Sequence, residues 1–292
     1  MVAQKKKWFG ALANSGLQGI ITAKTSAFTL SGSQAYYGIA ALSATRIAVV
    51  NSPSTSGNTE IRAYDFDGST WSQVGSTLTF SGNTQAWVTG LSGSRIAVVD
   101  TANRQIRTYD FNGSSWSQVG SGVTTLPVNS NSRTVTKINS SQVAYTRHDD
   151  EAIQAYSFNG SSWSSVGSSI NRPFNISNGA GAYLKDGDVA IMDASNGLGL
   201  YRFNGSSWSL VGNSTSDFTN GDTCLAGLEE NLIVMNDASA NELVLYEFDG
   251  TNWAELGTPF SFTNTAVTSI TALDKRTFAF NNGNQLTVYG VS

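Results

Sequence analysis

The phrase Tyr-x-Phe-(Asp/Asn)-Gly-(Ser/Thr)-x-Trp occurs five times, beginning at Tyr64, Tyr109, Tyr156, Tyr201 and Tyr246. The steps between copies are 45, 47, 45 and 45 residues. A repeat of that length is one supersecondary unit that cannot bury its apolar face alone, so it must stack on copies of itself.

The second copy shows what the unit contains. Ile106 to Phe111 alternates apolar and polar residues, Asn112-Gly113 follows, and Ser114 to Val119 alternates again. Two alternating runs around Asn-Gly predict a hairpin with a type I′ turn, which needs positive φ at both central residues. The other copies carry Asp67-Gly68, Asn159-Gly160, Asn204-Gly205 and Asp249-Gly250. A two-residue turn places Tyr109 opposite Trp116 and Ile106 opposite Val119. It likewise predicts the pairs Tyr64–Trp71, Tyr156–Trp163, Tyr201–Trp208 and Tyr246–Trp253. One face of each hairpin is then aromatic and the other aliphatic, and both must be covered.

Two further strands precede each hairpin. A short β-branched run recurs at Arg46–Val50, Arg95–Val99, Gln142–Thr146, Asp188–Met192, Leu232–Met235 and Thr277–Phe280. Before it lies another run, as in Tyr36–Leu42 and Ala86–Leu91. Four antiparallel strands per unit, repeated around an axis, predict an all-β, six-bladed β-propeller over residues 1–292. The sixth unit stops at Ser292, just after Tyr289, where its turn should be. The segment Lys6–Ala11, with Trp8, is the expected missing strand, so the N-terminal strand closes the ring against the last blade. Closure removes an exposed edge.

Composition narrows the function. The net charge is −4 and only 13% of residues are charged, which argues against nucleic-acid binding through phosphate neutralisation. The only basic run, Lys5–Lys7, reads as a solvated strand edge. No apolar run is long enough for membrane insertion as a helix. The single Cys, Cys224, cannot form an intramolecular disulfide, and the single His, His148, cannot build a multi-His metal site. Asp186-Gly187-Asp188 reads as turn chemistry, so no metal and no cofactor is expected. There is neither a GxSxG elbow nor a P-loop, and nothing selects a carboxylate pair from Asp149, Asp150, Glu151, Asp193 and Asp237. No catalytic residue is expected.

Position-specific contacts should come from features that break the repeat. The second strand of each unit ends in Asn51, Asp100, Arg147, Asp193, Asn236 and Asn282, expected to form a polar ring on one face. Arg147 leads into the charged loop His148, Asp149, Asp150 and Glu151. The long N-terminal loop carries Leu17, Ile20 and Ile21, an expected exposed apolar contact. The repeated Trp71, Trp116, Trp163, Trp208 and Trp253, with their Tyr partners, read as blade packing, although such aromatics also line sugar sites.

The unit Leu91–Asp100 followed by Ile106–Trp116 resembles the repeats of FG-GAP-like and kelch-like propellers in bacterial and phage surface proteins. That resemblance implies an adhesive or structural role. The Ser-, Thr-, Asn- and Gly-rich composition reads as extracellular, while Asn14, Ser15 and Gln18 interrupt any export signal. Together these features favour a non-enzymatic component of a tailed-phage virion. Its expected partners are other virion proteins, or a cell-surface receptor or glycan, with a homo-oligomer inside a larger assembly possible. The alternatives are a secreted or cell-surface carbohydrate-binding lectin with sites between blades, and a polysaccharide-degrading enzyme.

Overall fold

A computed structural model describes residues 17–31, 36–52, 58–80, 86–100, 103–123, 126, 134–147, 152–171, 181–193, 197–213, 224–237, 240–263 and 268–292. They form six antiparallel sheets with no helix. Blade two shows the plan: Ala86–Ser92, Arg95–Asp100, Gln105–Phe111 and Trp116–Val123, paired in chain order. The first strand of each blade touches the first strand of the next, and blade six touches blade one, so the ring is closed. The chain is a six-bladed β-propeller.

The core lies in the seams between blades. The aromatic face of each hairpin packs on the preceding blade, and the aliphatic face on the following one. Tyr156, Phe158 and Trp163 of blade three cluster with Leu91, Val99 and Ile106 of blade two. Trp208 of blade four sits with Ile153 and Ala155 of blade three. Each seam is apolar on both sides, so its burial drives the ring together.

The turn departs from the expected type. Only the glycine has positive φ, 98° at Gly113, and none of the five Asn or Asp residues before the glycines does. Instead the side chain starts the turn: Asn112 Oδ1 accepts the amides of Ser114 and Ser115, both at 2.9 Å. Asp67, Asn159, Asn204 and Asp249 do the same. A side-chain acceptor replaces the backbone carbonyl, so the Asn keeps an ordinary φ. The turn is two residues longer than expected and the register moves with it. Trp116 lies opposite Phe111, and Tyr109 opposite Gln118. The Phe–Trp pair recurs in five blades with ring centroids 4.8–5.3 Å apart.

The aliphatic pairs are displaced too. Val119 faces Thr108, and Ile106 faces Val123 across a bulge. The bulge glycines reach the neighbouring turn: Ser76 N donates to Ser114 O at 2.7 Å, and Ser121 N to Ser161 O at 2.7 Å.

Closure also uses a different segment from the expected one. The free edge of Gln285–Val291 is occupied by Ile21–Ala23 and Phe28–Thr29. Ala23 stands opposite Tyr289, and the expected closing segment, residues 6–11 with Trp8, lies outside the described residues. The pair Ile21–Val291 occupies the place that Trp253–Phe248 holds in blade five. Gly19 takes the part of the missing turn, resting on the bulge at Gly257, and Ile20 forms a parallel bridge to Thr258.

Candidate ligand sites between the blades and along the axis

The expected contact residues whose side chains are described, Leu17, Ile20, Ile21 and Asp100, do not share one site. Leu17 and Ile21 are buried at 8% and 5% exposure in the seam between blades five and six, and only Ile20 is exposed. Burial follows from their closing role, so they are core rather than a docking loop. Asp100 is also buried, its carboxylate accepting from Asn103 N and Nδ2, with Arg107 at 3.9 Å. It holds the turn between its two strands together. Arg147 and Asp193 end their strands as expected, but their side chains, like all of His148, Asp149, Asp150 and Glu151, lie outside the described residues. The sixfold equivalent of Asn51 in blade five is Asp237 rather than Asn236, because Asp237 pairs with Glu242, four residues before Tyr246, as Asn51 pairs with Glu60, four residues before Tyr64. Among the described residues, no group of three or more His, Cys, Asp and Glu could hold a metal ion, and no helix is long and apolar enough to cross a membrane.

Two neighbouring seams carry a partly exposed charged motif that the repeat analysis missed. Arg46 and Asp65 are cross-strand partners in blade one and form a two-pronged ion pair at 2.5 and 2.7 Å. The Arg46 guanidinium lies 5.3 Å from the ring centre of Phe111 in blade two. Blade two repeats this with Arg95 and Asp110 at 2.6 and 2.7 Å, the guanidinium 5.8 Å from the Phe158 ring. The hydrogen bond to Asp65 raises the pKa of Arg46, and the same bond holds Asp65 below the usual carboxylate value. These side chains remain 28–39% exposed, so their outer donors and acceptors face solvent.

The motif does not run round the ring. The corresponding pairs are Gln142–Ser157, a reversed Asp188–Arg202, Leu232–Glu247 and Thr277–Gly290. Positions that vary on a scaffold whose core repeats are where specific contacts belong. The sequence did hold a signal, since Arg begins the second strand in the first two copies and Asp follows Tyr in the third.

The ring axis forms a second concave feature, a cavity of about 250 Å³ lined by the first strands of all six blades. Each first strand bonds to its own blade on one edge only, leaving the other edge toward the axis. Part of that edge is met by hydroxyls of the preceding blade. Ala41 N donates to Thr271 Oγ1 at 2.9 Å, and Lys137 N to Thr89 Oγ1 at 3.2 Å. Lys137 Nζ lies 4.7 Å from the Tyr183 ring centre. The Tyr183 hydroxyl donates to Asp186 at 3.0 Å, and its pKa is pushed up to about 12, first by burial and then by that carboxylate.

No protein-family model matches this sequence, and no curated protein matches it. Solved structures of similar fold do. The SapL1 lectin, in complex with alpha-methyl fucoside, is 16% identical over 90% of this chain and 96% of its own, with a TM-score of 0.57. The fucose-specific lectin from Aleuria aurantia is 14% identical over 90% of this chain and 97% of its own, with a TM-score of 0.59. A Lactobacillus plantarum protein is 12% identical over 90% of this chain and 84% of its own, also at 0.59. At such identities the likeness is one of fold.

Proposed function

We propose that this protein is a non-enzymatic carbohydrate-binding propeller whose glycan sites lie in the seams between blades. The observation that carries this is the pair of Arg–Asp forks, Arg46–Asp65 and Arg95–Asp110, each at a blade junction beside an aromatic ring. A fixed guanidinium donates, and a fixed carboxylate accepts, in the geometry that adjacent sugar hydroxyls require. Their preorganised pairing lowers the entropy cost of capturing a flexible polar ligand. The like-folded lectins support the reading, because the same ring in other hands binds fucosides. This raises the lectin alternative above the virion component favoured by sequence. A virion role stands as a separate proposal that proteomics of purified particles would decide.

A glycan array followed by calorimetry on the full chain tests the proposal. Saturable binding of a glycan, with a melting temperature raised by the free sugar through mass action, is the expected result. Arg46→Met with Arg95→Met should weaken that binding by roughly tenfold or more, as for loss of charged hydrogen bonds. An array without a binder, together with a melting temperature that no sugar moves, would reject the function. Binding that survives the double substitution would place the glycan in other seams.

A further inference from the structure

The axial cavity carries chemistry that neither the seams nor the core uses. Its volume of about 250 Å³ is that of a small ligand or of about eight water molecules. Among the described residues, Lys137 is the one charged residue lining it, and no Asp or Glu does. Two acids of blades four and five are engaged with other groups: Asp186 accepts from Tyr183, and Glu230 pairs with Lys185 at 3.0 Å. Thr136 also lines the cavity. It is only 4% exposed, and its Oγ1 has no hydrogen-bond partner. A buried hydroxyl without a partner keeps its hydrogen-bonding capacity for whatever enters the space beside it.

Thr89 and Thr271 oxygens already accept backbone amides, so each hydroxyl has its hydrogen left to donate. Among the described residues the cavity therefore presents one ammonium and several hydroxyls beside the free strand edges, with no opposing carboxylate. The only full charge being a cation, a ligand that brings negative charge is favoured over a neutral one.

We propose that the axial channel binds a small oxyanion, a carboxylate or phosphate group on a ligand no larger than an acidic monosaccharide, with Lys137 as counter-charge. The Thr136 hydroxyl donates to the bound oxygen, and the Tyr183 ring keeps the Lys137 stem in place. The site is independent of the glycan sites in the seams, so either can fail without the other.

The full-length protein would be titrated with inorganic phosphate, with glucuronate and with glucose, followed by calorimetry and amide chemical shifts. Saturable binding of phosphate or glucuronate, weakened by added salt, is expected. The stronger of the two identifies the favoured anion. Lys137→Met should lower that affinity by roughly tenfold or more, while Lys137→Arg retains most of it. Thr136→Val, which keeps the side-chain shape, should weaken binding several-fold and serves if the Lys137 variants fail to fold. The proposal is overturned if neither anion binds, if glucose binds as well as glucuronate, or if both the Lys137→Met and Thr136→Val proteins bind normally. A channel filled by water alone would give the first of these outcomes.

Discussion

The indole Nε1 of Trp163 donates a 2.8 Å hydrogen bond to Thr108 Oγ1 across the seam between blades two and three. Thr108 immediately precedes Tyr109, and the matching positions in other blades are Ala63, Ala155, Leu200, Leu245 and Val288. None of these side chains offers an acceptor. Accordingly the Nε1 atoms of Trp116, Trp208, Trp253 and Trp71 are buried without a partner. One position on the third strand thus decides whether the indole of the next blade is satisfied.

Thr108→Ala should therefore cost about 1–3 kcal/mol, the penalty of leaving a buried donor unmet. Ala155→Thr should act in the opposite direction, giving Trp208 the acceptor that Trp163 has. Urea unfolding of both variants measures this. If Ala155→Thr destabilises as Thr108→Ala does, the two seams are not equivalent in packing.

Ring closure rests on Ile21, which faces Val291 and is 5% exposed. Ile21→Ala removes buried aliphatic volume at the only junction without chain continuity through a turn, and should cost about 2–5 kcal/mol. Ile20, at 45% exposure, should tolerate Ser within about 0.5 kcal/mol. Thermal melting of the two single variants tests the assignment. Equal losses would mean that the closing strand sits in another register.

Two glycines of blade two separate backbone strain from close approach. Gly113 has φ 98° with nothing within 4 Å of a Cβ added there. Gly120 has φ 67°, and a Cβ there would collide with the Ser161 carbonyl of blade three. Gly113→Ala should cost about 1–2 kcal/mol, the left-handed conformation alone. Gly120→Ala must also part the two blades, so its loss should be clearly larger. Similar melting temperatures for the two variants would show that the rim contact contributes little.

The architecture was legible because the Tyr, Phe and Trp positions repeat and each strand alternates faces. The turn was misread, yet Tyr109, Phe111 and Trp116 were still placed on one face. The reason is parity: a register shift of two residues leaves every side chain on its original face. Closure was harder to read. The repeat predicts a Trp at the closing position, and the seam accepts the smaller Ile21 because its partner is Val291 rather than Phe. The loop Leu17–Ile21 looked like an exposed patch for the same reason, since nothing local marks which apolar residues meet a strand more than 260 positions away. The forks were invisible to repeat counting because Arg precedes Asp in two blades and follows it in blade four, where Arg202 grips Asp188, and the Lys137 cation of the channel shows only when six first strands are brought around one axis.

The turns also set a pH dependence. Asp67 and Asp249 each accept two backbone amides, and these bonds, from Thr70 first for Asp67 and Asn252 first for Asp249, hold their pKa values below the ordinary 3.8. Asp65 is lowered by Arg46 in the same direction. A carboxyl group whose pKa is lower folded than unfolded contributes stability above its unfolded value and loses it as pH falls through the folded value. The melting temperature should thus be flat near neutrality and fall below about pH 4. Asn serves at this turn position in three copies, at Asn112, Asn159 and Asn204. Asp67→Asn with Asp249→Asn should therefore leave the neutral melting temperature unchanged while making the acid decline shallower. Melting curves recorded stepwise down to about pH 2 give the comparison. A double variant that declines as steeply as the parent would shift the acid sensitivity from these turns to other carboxylates, the Arg46–Asp65 fork first among them.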